Sequence, residues 1–189
     1  EPFYGNLFSR FNTIDPKEIS SKKFNKPFAE PEIALRIKDD IDISKVPFGI
    51  KDIDYLFDGF VCSLEIVDFR FNRTLKEIGS LNLIATNGAS EFWIRSSEVF
   101  KLSKIDFENH SIKISFNNKI VGEGNTKNVM GNPLNSALWL INKIAKKGET
   151  LLKGQFISTG TCTAAVPIIK DNFIKADFGK LGIIEMNYI

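Results

Sequence analysis

Alternating apolar and polar side chains over residues 28–37 predict a β-strand, because successive side chains of a strand point to opposite faces. The apolar face consists of Pro31, Ile33, Leu35 and Ile37. The opposite face carries Glu30, Glu32, Ala34 and Arg36. Two carboxylates that lie two residues apart on one strand project the same way, with their backbones roughly 7 Å apart. A charged face open to water accounts for this pattern, and so does a carboxylate pair that shares a cation.

A second run of strand-forming residues, 61–70, contains Glu65, whose neighbours on the same face are Ser63 and Val67. A carboxylate among such residues is costly to bury without a partner, so it faces either solvent or a positive group. Three carboxylates from two strands would supply half of the coordination shell of Mg²⁺ or Mn²⁺, with water or substrate oxygens in the other positions. Glu30, Glu32 and Glu65 are therefore the candidate metal ligands.

The remaining pattern predicts an α+β protein dominated by strands, with one long helix. That helix runs from Pro133 to about Lys147, with Asn132 as its N-cap. A shorter helix is expected from about Gly49 to Gly59. Further strands are expected at 80–86, 92–94, 111–116, 119–122, 155–161, 173–178 and 182–189, and the pair around Asn117 and Asn118 forms a hairpin. Residues 1–27 are expected to be loop with short irregular pieces.

Composition restricts the class of protein. At 189 residues a single domain, 1–189, is the default, and 43% apolar with 25% charged residues is typical of an ordinary globular chain. A net charge of +2 is too small to indicate binding to nucleic acid or to an anionic membrane. No apolar run has the length of a membrane span and no signal-peptide pattern is present, so we expect a cytoplasmic protein.

The few residues suited to nucleophilic or base chemistry are given structural roles. Cys62 and Cys162 lie in or beside predicted strands and are interpreted as small buried hydrophobes, without a disulfide. The single histidine, His110, precedes the predicted hairpin and is interpreted as an exposed loop residue.

Several motifs, in order, resemble the 2-oxopent-4-enoate hydratase and 4-oxalocrotonate decarboxylase family of the fumarylacetoacetate hydrolase superfamily. They are Glu30-Pro31-Glu32-Ile33-Ala34, Leu64-Glu65-Ile66-Val67-Asp68, Asn87-Gly88, Gly131-Asn132-Pro133-Leu134-Asn135 with Trp139-Leu140, Gly154, Gly160-Thr161 and Leu181-Gly182. The resemblance extends from about Pro2 to Ile189. It implies the rolled mixed β-structure of that superfamily, a homo-oligomer, and a place in the catabolism of aromatic compounds.

The resemblance also implies a chemistry. Glu30, Glu32 and Glu65 would hold Mg²⁺ or Mn²⁺, and Thr161 and Thr163 would hydrogen-bond the carboxylate of a 2-oxo or 2-hydroxy dienoic acid. The expected reaction is the addition of water to a 2-hydroxy-2,4-dienoate, which gives a 4-hydroxy-2-oxo acid. The alternatives are 4-oxalocrotonate decarboxylation and a catalytically inactive structural member of the family. The hydrolase branch of the superfamily would need a histidine-activated water, and His110 is badly placed for that role.

The chain departs from the family pattern at three points. Many members carry an acid where Phe3 stands, in a segment that lines the active site, and a histidine where Asn132 stands. Members also use a lysine on an N-terminal segment as acid or base, and no residue here aligns with it because the match begins after it. The catalytic residue is therefore unknown. We expect an N-terminal segment to precede this chain, and little turnover without that segment.

Overall fold

The computed structural model describes residues 2–189, so Glu1 of the predicted domain 1–189 lies outside the described part. Two mixed sheets form the body. The first contains β1 (Asn12–Ile14), β5 (Ser90–Arg95), β4 (Phe57–Asp68), β3 (Pro27–Ile37) and β8 (Phe156–Thr161) in that order, with β9 (Val166–Pro167) also paired to β3. The second contains β2 (Glu18–Ile19), β11 (Ile183–Tyr188), β10 (Asn172–Asp177), β6 (Ser111–Phe116) and β7 (Lys119–Asn125). The helices are α1 (Ile53–Leu56), α2 (Leu75–Ala85) and α3 (Pro133–Ala145).

The antiparallel pair of β3 and β4 is the centre of the first sheet, and both predicted strands are confirmed. In their register Glu30 lies directly opposite Glu65, and Glu32 lies opposite Ser63. The alternation predicted for β3 is also confirmed, because Ile33, Leu35 and Ile37 belong to the main apolar cluster. One face of β3 therefore packs into the core, and the opposite face carries Glu30 and Glu32.

One continuous apolar cluster joins the two sheets to α3. Its fully buried members include Leu35 and Phe60 of the first sheet and Ile112 and Ile174 of the second. The helix contributes Ala137, Leu138 and Ile141 from one face. The helix packs against β8. Each large apolar side chain that is removed from water stabilises the fold by about 1.5–3 kcal/mol.

The predicted long helix is confirmed as α3, with its end two residues earlier than expected. The Asn132 side chain accepts a hydrogen bond from the backbone N–H of Leu134 at 2.9 Å, and Pro133 occupies the first helical position. The α+β class with a dominant β content is likewise confirmed. Asn117 and Asn118 both have positive φ, 49° and 66°, as the predicted turn between β6 and β7 requires.

The predicted strand at 80–86 is wrong, because residues 80–85 belong to α2 and Thr86 is the C-cap of that helix. The helix begins with a capping box, in which Thr74 accepts from the Glu77 N–H and the Glu77 carboxylate accepts from the Thr74 N–H at 2.7 Å. Gly79 interrupts it with a φ of 71°. Leucine alternates with polar residues at 80–83, as in a strand. The capping box at Thr74 and Glu77 nevertheless starts a helix, and the helix continues through these residues.

The helix predicted from Gly49 to Gly59 is much shorter than expected. It is limited to a 3-10 turn, Ile50–Asp52, and the single turn α1, after which β4 begins at Phe57. Gly59 is not a helix cap. It lies in β4 where the backbone of Phe100 pairs with Phe60, and a Cβ atom on it would lie 2.5 Å from the Phe100 carbonyl oxygen.

The structural roles given to the cysteines are confirmed, whereas the interpretation of His110 is wrong. Cys62 and Cys162 are free and buried. His110 is half-buried, with its Nε2 atom 2.8 Å from the carbonyl oxygen of Phe178 and its backbone N–H on Thr126 Oγ1. Its ring therefore links the start of β6 to the end of β10. No helix within residues 2–189 has both the length and the apolar character needed to cross a membrane.

Candidate functional site

The three predicted acids meet on one face of the first sheet. One carboxylate oxygen from each of Glu30, Glu32 and Glu65 lies within 4.8 Å of the others. Glu30 and Glu65 are neighbours because they oppose each other across β3 and β4, and Glu32 is the next residue on the same face of β3. Glu32 is 2% exposed, and the other two are half-buried. The strand pairing alone therefore gathers the cluster.

A bulge in β8 supports Glu32. Glu32 pairs with Thr161 and Ala34 pairs with Ser158, so that β8 has one residue more than β3 over this interval. Gly160 lies in the bulge with a φ of 113°, and its backbone N–H is 3.3 Å from Glu32 Oε2. The Ser158 hydroxyl donates to the same oxygen. The glycine is required because side-chain-bearing residues rarely adopt this backbone conformation.

An indole fixes the direction of the Ser158 hydroxyl. Trp93 Nε1 donates to Ser158 Oγ at 3.1 Å. The indole packs in a small buried cluster with Ala34 and Val61. Because an indole N–H only donates, the serine oxygen accepts from Trp93 and its proton is directed to Glu32. The Trp93–Ser158–Glu32 chain thus holds one carboxylate in a single orientation.

Burial and mutual repulsion make the acids reluctant to ionise. Burial, with a further contribution from Glu65, raises the pKa of Glu30 to about 7. Burial and the charges of Glu65 and Glu30 raise the pKa of Glu32, against the opposing hydrogen bonds from Ser158 and Gly160. Burial also raises the pKa of Glu65, which a hydrogen bond with Ser90 counteracts. In the described part of the chain, none of the groups that act on these three pKa values is a lysine or arginine.

The arrangement fits a hard divalent cation. The three convergent carboxylates, of which Glu32 is nearly inaccessible to water, repel one another, and no basic side chain within residues 2–189 is among the groups that shift their pKa values. Mg²⁺ and Mn²⁺ prefer oxygen ligands, and such an ion would favour the ionised form of all three groups. Glu30, Glu32 and Glu65 are the residues that would hold it, and their role as ligands stays a prediction.

The acids lie in a cavity of about 1220 Å³. Its wall includes Phe28 and Val67 beside the acids, Trp139 and Leu140 from α3, and Phe156 from β8. Thr161 lines this cavity, as expected of a substrate-binding residue. Thr163 is not among its lining residues. It is 5% exposed, and its hydroxyl donates to the carbonyl oxygen of Ala164 at 2.9 Å. Thr161 therefore lies in the same cavity as the acids, and Thr163 lies outside the cavity lining.

The segment around Phe3 covers one side of the cavity. Asn87 holds it through both backbone groups of Asn6, accepting from the N–H at 2.7 Å and donating to the carbonyl at 2.9 Å. Gly88 is needed beside it, because a Cβ there would lie 2.9 Å from the Phe3 ring. Phe3 therefore adds an aromatic side chain to the wall of the cavity. His110 lies outside the cavity lining.

Sequence reasoning missed the groups that support the acids. Trp93 and Ser158 stand in ordinary strand runs, and nothing in their spacing from Glu32 indicates that β5 and β8 bring them together. Gly160 was singled out only as part of a matched motif, and its role as a hydrogen-bond donor depends on the bulge.

We expect Ser158→Ala to weaken Mn²⁺ binding by about tenfold, because groups that orient a metal ligand contribute at this level. Isothermal titration of the metal-free protein measures the effect. Ser136→Ala is the matched control, since its hydroxyl also lies in the cavity wall but donates to the Thr159 carbonyl at 2.7 Å. Equal losses in the two variants would mean that Ser158 does not act through Glu32.

Comparison with known proteins supports the resemblance. No family model matches the chain. The 4-oxalocrotonate decarboxylase of Pseudomonas putida is 26% identical over 193 residues, which cover 100% of this chain and 70% of that protein. The 2-keto-4-pentenoate hydratase 1 of Dechloromonas aromatica (strain RCB) is 26% identical over 187 residues, covering 98% of this chain and 69% of that protein.

A solved structure extends the similarity to the fold. The 4-oxalocrotonate decarboxylase from Pseudomonas putida G7, complexed with magnesium and adipate, superposes with a TM-score of 0.89 and 26% identity over 98% of this chain and 69% of that chain. The resemblance predicted from the motifs is therefore confirmed: the chain is similar along its length to 4-oxalocrotonate decarboxylase and 2-keto-4-pentenoate hydratase, and it has the fold of the decarboxylase.

Proposed function

We propose that the chain carries the metal centre of a divalent-metal-dependent lyase, which adds water to a 2-hydroxy-2,4-dienoate and yields a 4-hydroxy-2-oxo acid. The observation that carries the proposal is the group of three convergent carboxylates inside a large, partly aromatic cavity. The names of the relatives and the magnesium in the related decarboxylase structure support the same class of reaction.

The chain's own residues have distinct parts in this proposal. Glu30, Glu32 and Glu65 would hold Mg²⁺ or Mn²⁺, which when bound supplies a Lewis acid that stabilises negative charge developing on the substrate 2-oxygen. Thr161 would bind the substrate carboxylate, and the aromatic wall would pack against the diene and limit the access of water. Protonation of the dienol at its far carbon gives a conjugated 2-oxo acid, and water then adds at C4.

Thr163 enters the proposal only as a positioning residue. The Thr161 hydroxyl donates to the Thr163 carbonyl oxygen at 3.0 Å, so the turn that contains Thr163 orients the Thr161 side chain. The proposal assigns no residue of this chain to proton transfer. The cytoplasmic location and the homo-oligomeric state stay predictions.

The test is the loss of dienol absorbance when the full-length gene product, loaded with Mg²⁺, meets 2-hydroxypenta-2,4-dienoate. We expect loss that is abolished by EDTA and restored by excess Mg²⁺. A matched Glu65→Gln variant should show no loss, while Glu185→Gln, on an exposed position of β11, should behave as the unmodified protein. Absence of any loss in the full-length protein would favour the inactive structural member of the family.

A second reaction is favoured by the similarity to the decarboxylase structure. The same centre would stabilise the enolate that forms when 4-oxalocrotonate loses carbon dioxide. Release of carbon dioxide from that acid, without hydration of the pentadienoate, would replace the hydratase assignment by the decarboxylase.

A further inference from the structure

A left-handed turn at residues 87–89 lies between the segment that covers the cavity and the strand beside Glu65. Asn87, Gly88 and Ala89 have consecutive positive φ angles of 58°, 68° and 62°. Residues that carry a Cβ atom rarely adopt this region, and two of these three carry one. Such a backbone conformation persists only where its surroundings hold it. The contacts of the turn therefore decide whether it keeps its shape.

The first support of the turn is Arg70, two residues beyond the end of β4. Its guanidinium donates to the carbonyl oxygens of Thr86 at 2.9 Å and of Ser90 at 3.3 Å, which flank the turn on either side. The same guanidinium forms an ion pair with Glu91. Arg70 thus ties the turn to the chain that continues from the strand of Glu65.

A bulge at the start of β5 directs Ser90 to the acids. Glu91 is the extra residue that shifts the register, so that Ser90 pairs with Val67 of β4. Ser90 and Val67 both line the cavity, whereas Glu91 is not part of the lining that the structure describes. The Ser90 hydroxyl donates a hydrogen bond to the Glu65 carboxylate. The position of this hydroxyl depends on the turn that directly precedes it.

The second support of the turn is the segment 3–6. The Asn87 side chain accepts the N–H of Asn6 at 2.7 Å and donates to the carbonyl oxygen of Asn6 at 2.9 Å. The Phe3 ring lies against Gly88, because a Cβ atom on that glycine would be 2.9 Å from the ring. Without the segment, Asn87 would lose both partners of its side chain, and the turn would be held by Arg70 alone.

The same segment reaches α3 through Tyr4. The Lys147 ammonium donates to the Tyr4 hydroxyl at 2.6 Å, and the Tyr4 ring meets Trp139 edge-on with centroids 6.2 Å apart. Lys147 is exposed, so water competes for its hydrogen bond. Asn87, which is half-buried and makes two hydrogen bonds to one residue, is the more specific of the two anchors.

We propose that Asn87 is a positioning residue for the metal centre, which couples the seating of segment 3–6 to the orientation of Glu65 through the turn and the Ser90 hydroxyl. With an ion bound, the fixed Glu65 carboxylate holds Ser90 and the turn, and the turn holds the segment. Metal binding and seating of the segment therefore strengthen each other by the same factor. This inference rests on the proposed function, because it needs an ion on the three acids, and it adds a regulation of that site.

The first test is isothermal titration of the metal-free, full-length gene product with Mg²⁺. Asn87→Gly removes the amide and keeps a residue that readily adopts positive φ. We expect it to weaken Mg²⁺ binding by about tenfold, as the loss of a group that orients a metal ligand does. Ser90→Ala should have a similar effect, and Ser90→Thr, which keeps the hydroxyl, should bind nearly as tightly as the unmodified protein.

The matched control is Asn109→Gly. Asn109 is exposed, lies outside the described cavity lining and also uses its side chain in a hydrogen bond, accepting from Asn125 Nδ2 at 3.0 Å. This variant should bind Mg²⁺ as the unmodified protein does.

Hydrogen exchange gives a readout that a purely structural role of Asn87 would not change. It is followed by mass spectrometry in a peptide that covers residues 3–8, in EDTA and at a Mg²⁺ concentration that saturates each variant. In the unmodified protein Mg²⁺ should slow exchange of the Asn6 amide by about the same tenfold factor. In Asn87→Gly and in Ser90→Ala this effect of Mg²⁺ should disappear.

The outcomes separate this inference from the proposed function. Unchanged Mg²⁺ affinity in Asn87→Gly, or exchange at Asn6 that ignores Mg²⁺ in the unmodified protein, would overturn this inference alone, because the acids would still bind the ion. Equal losses of affinity in Asn87→Gly and Asn109→Gly would do the same. Mg²⁺ binding that is absent from the unmodified protein, or that Glu32→Gln leaves unchanged, would overturn the proposed function as well.

Discussion

Replacing Glu32 by glutamine is expected to weaken Mn²⁺ binding by at least tenfold, which corresponds to about 1.4 kcal/mol. The substitution removes one of three ligand charges and keeps the shape of the side chain. In the metal-free protein the same change should raise the free energy of unfolding near neutral pH, because burial and the charges of Glu65 and Glu30 oppose ionisation of this carboxyl. Titration calorimetry and urea denaturation measure the two effects, which have opposite signs.

The opposite signs distinguish a ligand from a residue that only stabilises the fold. Glu65→Gln should behave in the same way, and Glu185→Gln on an exposed position should change neither quantity. Unchanged Mn²⁺ affinity in both Glu32→Gln and Glu65→Gln would remove these residues from the site.

The metal-free protein is expected to become less stable as the pH rises from about 4.5 to about 7, the interval between the ordinary pKa of a glutamate and the raised pKa of Glu30. Below this interval the group is protonated in both states and burial costs little. Within it the folded state keeps a proton that the unfolded state has lost, so the free energy of unfolding falls. The contribution of this group is on the order of 3 kcal/mol. Urea denaturation in EDTA across this interval measures it.

Mg²⁺ should counteract this fall in the free energy of unfolding with rising pH. A bound divalent ion favours the ionised carboxylates, so its stabilising effect should grow over the same interval. Glu30→Gln should flatten the dependence in EDTA by removing one of the three contributions. Stability that rises through this interval in the metal-free protein would contradict the assigned burial of the acids.

The sequence was sufficient to predict which acids form the cluster, but not which residues hydrogen-bond to Glu32. The side-chain period of a strand places Glu30 and Glu32 on one face, and Glu65, among apolar residues of the next strand, needs either solvent or a positive partner. Register is a property of two strands together, so the sequence could not state that Glu30 lies opposite Glu65. The motif resemblance supplied that link. Ser158 and Trp93 are far from Glu32 along the chain, and only the sheet order makes them neighbours.

The errors in secondary structure have a common physical cause. The apolar spacing within residues 80–86 and 49–59 predicts a strand and a helix, respectively. The residues at the ends of these segments indicate the opposite element in each case. The capping box at Thr74 shows that a helix begins there, and the run after Phe57 has the aromatic and branched side chains of a strand. Pairing with β3 extends β4 back to Phe57, which lies opposite Ile37.

The two strands that carry Glu30 and Glu65 are both interior strands, flanked by β8 on one side and β5 on the other. Amides in such positions open to solvent only when most of the fold opens. An ion can therefore enter or leave while the backbone beneath it stays closed, through rotation of carboxylate side chains and passage along the cavity. A newly synthesised chain would have its three carboxyl groups gathered before it meets any metal, and protons that they hold would be released when the ion arrives.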